Sequence, residues 1–223
     1  MFNNQLDEEK EYYSNYLSAG SDSILNGSVV ADGSNYWNNL NDGIAPFATV
    51  IQLGSDYANT IGSIGLVSDT GSRLFFTGSS TFSMSIWAYP LTLTLTAGNA
   101  AGLIGRIARY SIDLNNTGSF RTGVRSGTTS ITRSIKADVD SWNHIVMTYN
   151  NIGSIINSYK NGLLIGSDIS NVYFDMAGVG KFEIGRPSIL VGNVITFNGY
   201  LSDARAYDVV LTEAEIGSLY EKS

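Results

Sequence analysis

Chemistry in this chain has few residues to start from. There is one histidine, His144, and no cysteine, so one side chain can act as a neutral-pH general base and no thiolate can attack or bind zinc. Counting alone leaves a Ser/His/Asp triad open, but no Gly-x-Ser-x-Gly elbow is present to raise a serine above a sheet. A hydrogen-bonded strand histidine therefore explains His144 better than a catalytic one. Retaining glycoside hydrolysis needs two carboxyls about 5 Å apart, which i, i+2 acids on one strand can supply. The i, i+2 acidic pairs are Asp7/Glu9, Glu9/Glu11, Asp138/Asp140 and Glu213/Glu215. Three of these fall in helical patterns, where that spacing diverges. Asp138/Asp140 precede a strand instead of lying on it. The sequence thus predicts a protein without catalytic activity. Gly102-Leu-Ile-Gly105 lacks the spacing and the lysine of a phosphate loop.

Binding chemistry has more candidates. A sugar ring wants an aromatic platform for its apolar face and planar polar groups for its hydroxyls. Trp87 and Tyr89 share one strand face, as do Trp142 and His144. One tryptophan per strand in a sandwich is more often core than platform. Arg109, Tyr110, Tyr173 and Arg186 are read as loop residues and form the candidates for a rim site, since loops escape core packing. Oxygen-rich loops occur at Asp32-Gly-Ser-Asn35, Asn38 to Gly43 and Asp138-Val-Asp140. Turn-forming Asn and Asp account for all three without an ion.

The elements that would position these residues are mostly strands. The chain has 223 residues, 24 glycines and three prolines, a size and composition that suit a single all-β domain with many tight turns. A chain of that size buries roughly 70 % of its unfolded surface and needs no disulfide staples. The balance of 13 basic against 20 acidic residues gives a net charge of −7, with no Lys/Arg block. That argues against nucleic acid and against anionic membrane surfaces as partners. The start, MFNNQLDEEKEYY, has neither a basic n-region nor an apolar h-region, so no secretory signal is expected and the protein is read as soluble. No apolar run reaches membrane-spanning length, and no membrane insertion is expected.

Residues 1–45 read as a separate N-terminal arm or docking segment, and residues 46–223 as the domain. Within the arm, Leu6, Tyr13, Tyr16 and Leu17 fall on one side of a helix from about residue 5 to 17. Such a stripe packs on its own domain or docks on a neighbouring subunit. From Phe47 onward strand signals recur. They include Ala48–Leu53, a hairpin of Ile61–Val67 with Arg73–Thr77, Thr81–Tyr89, Leu91–Thr96, Gly102–Leu114, Ser119–Val124, a weaker Ser130–Ile135 and Trp142–Tyr149. Ile155–Tyr159 and Leu163–Ile165 flank Asn161-Gly162, the dipeptide of a type I′ hairpin. Val172–Met176, Phe182–Ile184, Val194–Phe197 and Leu201–Tyr207 complete an antiparallel two-sheet jelly-roll sandwich. Thr212 and Glu215 then stand as a capping box, and Ile216, Leu219 and Tyr220 form one stripe of a short C-terminal helix.

Five motifs in order carry a family resemblance. Phe82-Ser-Met-Ser-Ile-Trp-Ala-Tyr-Pro90 and Trp142-Asn-His-Ile-Val-Met-Thr-Tyr149 resemble two strands of the laminin-G-like, concanavalin A-like jelly rolls. Tyr159-Lys-Asn-Gly-Leu-Leu-Ile-Gly166 is similar to that family's hairpin, Phe182-Glu-Ile-Gly-Arg186 to a later strand, and Phe197–Tyr220 to its closing strand and helix. The resemblance implies two packed, curved antiparallel sheets of six or seven strands each. It also implies carbohydrate binding, at the concave face or through rim loops, as a family habit, structural calcium in some members and glycosidase activity in a minority. Calcium would call on Asp138, Asp140 and Asp203. The closing strand departs from the family here, with Ser202 where an aspartate is usual and Asp203 after it.

Together these readings favour a structural or binding module of a larger assembly. Similar modules occur on viral particles, which makes a head decoration or a tail-fibre adhesin on the virion surface the leading expectation. Its partners would be other subunits, including further copies of this chain, and surface glycans. A free-standing lectin domain is the alternative and a glycoside hydrolase the third.

Overall fold

In the computed structural model, the residues described are 36–38, 50–53, 66–67, 76, 80–95, 100–106, 108–170, 174, 182–185, 194–197 and 199–221. Leu6, Tyr13, Tyr16, Leu17, Tyr173, Arg186 and the expected helix of the arm lie outside them.

Fourteen strands and one helix are defined among the described residues. In chain order they are β1 (Tyr36–Asn38), β2 (Val50–Leu53), β3 (Leu66–Val67), β4 (Phe82–Pro90), β5 (Ala100–Arg106), β6 (Tyr110–Asn115) and β7 (Ser119–Ser126). There follow β8 (Thr129–Lys136), β9 (Asn143–Asn150), β10 (Ile155–Lys160), β11 (Leu163–Ile169), β12 (Phe182–Ile184), β13 (Val194–Thr196), β14 (Gly199–Tyr207) and α1 (Glu213–Glu221). The first sheet runs β1-β2-β14-β4-β9-β10-β11. The second runs β3-β12-β5-β6-β7-β8, and β13 adds to β5 in the one parallel pairing. The expected antiparallel sandwich is the fold. β1, inside the segment read as an arm, pairs with β2 as the edge of the first sheet.

Alternation explains why these strands pack as they do. Phe82, Met84, Ile86 and Ala88 of β4 have no exposed surface and face the second sheet. Ile145, Met147 and Tyr149 of β9 join them, and Tyr110, Ile112, Leu114, Phe120 and Val124 answer from β6 and β7. Phe76 stacks on Phe82 with ring centroids 4.5 Å apart. Side chains of this size each stabilise the fold by about 1.5–3 kcal/mol when fully buried.

Some expected strands differ among the described residues. Gly102–Leu114 is divided into β5 and β6, with Ala108 at φ 57 in the turn between them. Leu91–Leu95 forms no strand. Pro90 ends the ladder by lacking an N–H, and the Thr94 N–H donates to Thr92 Oγ1 at 3.1 Å in place of a neighbouring strand. Leu93 and Leu95 pack on the core instead. Phe174, at the centre of the expected Val172–Met176 strand, is a buried core residue outside any strand. Conversely, the weak Ser130–Ile135 signal is a full strand, β8, paired along its length with β7.

The two turns that organise the C-terminal half follow the sequence closely. Asn161 and Gly162 have φ 51 and 79, the two positive angles a type I′ hairpin requires. At α1, the Thr212 N–H donates to Glu215 Oε2 at 2.7 Å and the Glu215 N–H donates to Thr212 Oγ1 at 3.3 Å. The capping box is closed in both directions. Ile216 and Leu219 bury against Val146, Tyr159, Tyr207 and Leu211 in a second, smaller core on the outer face of the first sheet.

Candidate functional site: an aromatic array on the outer face of the first sheet

The site follows from the same alternation. With its even-numbered residues in the main core, β4 turns Ser83, Ser85, Trp87 and Tyr89 to the outer face. In β9, His144 and Val146 share that face, and Trp142 lies two residues before His144. Trp87 pairs with His144 across the two strands, and Tyr200 of β14 pairs with Tyr89. Six rings meet there in two groups.

In the inner group Trp87 and His144 are buried beneath a third ring, Tyr220, which is itself exposed. Trp87 stacks on His144 at 4.9 Å between centroids, and Tyr220 of α1 stacks on Trp87 at 5.6 Å. Trp87 is 6 % exposed and His144 1 %. Ser85 Oγ is 2.8 Å from His144 Nε2. Burial, with the charge of Arg205 second, pulls the His144 pKa down to about 3. Its Nδ1 has no hydrogen-bond partner, so no carboxylate orients the ring. A buried neutral histidine without an acid behind it cannot activate Ser85, so this pair is structural.

The outer group is half-exposed. Tyr89 meets Trp142 edge-on at 5.6 Å and 68°, and meets Tyr200 edge-on at 5.7 Å and 71°. All three are intermediate in burial, and Leu91 and Val139 beside them are exposed. Edge-to-face packing fixes each ring against the next while leaving part of its surface in solvent.

The remaining sequence-predicted site residues separate. Tyr110 is core: it has no exposed surface, its oxygen accepts from the Phe76 N–H at 3.3 Å, and burial raises its phenol pKa. It was expected in a loop, but it opens β6 on the inward-facing register. Trp87 likewise packs beneath Tyr220 and cannot serve as a platform. Arg109 sits in the β5–β6 turn, where its Nη1 donates to the Ala108 carbonyl at 3.0 Å. Tyr89 alone of these joins the exposed array.

Asp138, Asp140 and Asp203 are not brought together in one group of metal-binding side chains. Asp138 Oδ2 is 2.6 Å from Lys160 Nζ, which holds the Asp138 pKa below its usual value. Asp203 takes Arg205 Nε at 2.6 Å and Nη2 at 2.5 Å in a fork, at a bulge where its own φ is 46. No group of three metal-binding side chains occurs among the described residues. Two strand carboxylates are also paired with arginines, Asp113 with Arg121 and Asp168 with Arg133.

Trp142 and Tyr200 were not singled out as site residues from sequence. The signal for Trp142 was its shared face with His144. Tyr200 becomes legible only once the β14–β4 register is known.

The family model for the concanavalin A-like lectin/glucanases superfamily matches residues 54–217. The chain belongs to that superfamily. No curated protein matches its sequence. Among solved structures, the binding domain of Paraclostridial Mosquitocidal Protein 1 is similar at 16 % identity and TM-score 0.60, over 85 % of this chain and 46 % of that one. The botulinum neurotoxin serotype G binding domain is similar at 14 % identity and TM-score 0.63, over 85 % and 45 %. This chain therefore spans under half the length of those toxin domains. The Ruminococcus gnavus IT-sialidase CBM40 bound to α2,3-sialyllactose is similar at 12 % identity and TM-score 0.55, over 70 % and 92 %. At these identities the likeness is one of fold. No helix among the described residues is long and apolar enough to cross a membrane.

Proposed function

We propose that this domain is a non-catalytic carbohydrate-binding module, and that Tyr89, Trp142 and Tyr200 are its sugar contacts. The observation that carries the reading is the half-exposed edge-to-face array of those rings on the outer face of the first sheet. Rigid rings offer stacking area at little entropic cost, which is what the C–H face of a pyranose requires. The superfamily's lectin members, and solved relatives that are themselves binding domains, are in keeping with it. The test is a glycan array with the full chain and with Trp142→Ala. Binding that the substitution abolishes supports the reading. Binding unaffected by it, or none to any glycan, overturns it.

The module is further proposed to be carried by a larger assembly, a viral particle being the leading candidate, as a head decoration or tail-fibre adhesin. Support comes from the acidic, glycine-rich composition and from residues 1–53, which precede the family match. Leu6, Tyr13, Tyr16 and Leu17 would form the docking stripe on another subunit. Deleting residues 1–34 leaves β1 in place. Incorporation of the truncated chain into the assembly would show that the stripe does not dock it.

A further inference from the structure

The loop beside the ring array carries charges that bear on the kind of glycan the rings can take. Asn143 has no exposed surface and ties the loop before β9 to the end of β4. Its Nδ2 donates to the carbonyls of Asp138 at 2.9 Å, Ser141 at 2.8 Å and Ala88 at 3.4 Å, and its Oδ1 accepts from the Asp138 N–H at 3.2 Å. The Asp140 N–H donates to the Pro90 carbonyl at 2.9 Å, one residue past Tyr89. Asp140 is exposed, with φ 52. The backbone that bears this exposed carboxylate is thereby anchored to the strand end next to Tyr89, two residues before Trp142.

Two cations near this end of the first sheet are already engaged, Lys160 on its core-facing side and Arg205 on its outer face. Lys160 Nζ is 2.6 Å from Asp138 Oδ2 and donates to the Lys136 carbonyl at 2.8 Å. Arg205 holds Asp203 through two nitrogens. The whole chain adds a net charge of −7.

Resting on the reading that these rings bind sugar, we infer that the site selects uncharged glycans and rejects those bearing sialate or uronate groups. An exposed carboxylate on an anchored backbone can accept hydrogen bonds from sugar hydroxyls, two at once from a vicinal pair. The same carboxylate repels an anionic sugar, and Lys160 and Arg205 are each already paired with an aspartate. One placed repulsion discriminates without weakening the wanted ligand. The sugar class would thus differ from the sialyllactose held by the CBM40 structure of similar fold.

The experiment is an array of matched oligosaccharides presented to the full chain. It would pair lactose with α2,3-sialyllactose, and xylo-oligosaccharides with their glucuronate-branched forms, at two salt concentrations. The expected result is neutral members bound about tenfold or more tighter than their anionic partners, with little salt dependence for the neutral ones. Asp140→Asn, which tolerates the same positive φ, should narrow that gap several-fold. Preference for the anionic members, or a gap that Asp140→Asn leaves unchanged, overturns this inference while leaving the sugar-binding reading intact. Binding to neither class overturns both.

Discussion

Ser85 Oγ and His144 Nε2 lie 2.8 Å apart across β4 and β9, beside the stacked rings of Trp87 and Tyr220. With Nδ1 unpartnered, the tautomer that costs least keeps the proton on Nε2, donating to Ser85, and leaves a lone pair bare instead of an N–H. The pair therefore makes the protein sensitive to acid. The His144 pKa is about 3 in the folded protein, below its ordinary value of 6.5. Between those values the unfolded chain binds the proton and the folded one does not, so stability falls as pH drops from 6.5 towards 3. Urea denaturation at pH 7 and pH 4.5 should differ by about 2–3 kcal/mol from this group. His144→Gln should remove that part of the slope. An unchanged slope in the variant would show that His144 is not its source.

The capping box of α1 gives a smaller and more local effect. Thr212→Ala removes the acceptor for the Glu215 N–H and the start of the helix, and should cost about 1 kcal/mol. Since Ile216 and Leu219 hold the second core, the loss should appear first as faster amide exchange in 213–221. Global unfolding without that local signature would mean that α1 and the sandwich open as one unit.

Much of this was legible beforehand because it rests on short-range patterns. The alternation of Phe82–Tyr89 gave both faces of β4, Asn161-Gly162 gave the hairpin, and Thr212 with Glu215 gave the helix start. Tyr110 was misread for a long-range reason. Whether it faces loop or core depends on where the β5–β6 turn falls, which the run Gly102–Leu114 does not mark. Tyr89 lies in β4, Tyr200 in β14 and Trp142 just before β9, strands that are adjacent only through the order β14-β4-β9. No spacing in the chain brings Tyr200 beside Tyr89, so the array had to await the sheet register.

Gly199 is the point where β14 begins against β4. Its φ is 153, and a Cβ there would lie 2.1 Å from the Tyr89 carbonyl oxygen and 2.9 Å from the Phe197 ring. Backbone cannot yield as a flexible side chain does, so Gly199→Ala should destabilise the fold by about 3 kcal/mol or more. It should also shift Tyr89 relative to Tyr200. A thermal midpoint within 2 °C of wild type, on the order of half a kcal/mol for a chain this size, would contradict the approach described.

Arg133 and Asp168 join the open side of the sandwich, where β8 and β11 are the edges of the two sheets. Arg133 Nε is 2.6 Å from Asp168 Oδ2, and both side chains are 28 % exposed. Solvent screens such a pair, so a double-mutant cycle should return a coupling of about 0.5–1 kcal/mol that shrinks in 1 M salt. A coupling near zero would leave the cohesion of that side to the other contacts between the two sheets.

Trp87 and Trp142 differ in what surrounds them, and the difference separates scaffold from site. Trp87 is stacked on His144 and beneath Tyr220, so Trp87→Ala leaves a cavity under α1 and should cost about 3–5 kcal/mol. Trp142 keeps part of its ring in solvent and touches Tyr89 only edge-on, so Trp142→Ala should cost about 1–2 kcal/mol. Denaturant midpoints measure this contrast directly, and glycan binding measures its consequence. Trp142→Ala should stay folded and lose binding, whereas Trp87→Ala should lose binding only in proportion to the fraction unfolded. If Trp142→Ala is as destabilising as Trp87→Ala, both rings belong to the core and the outer face offers no platform.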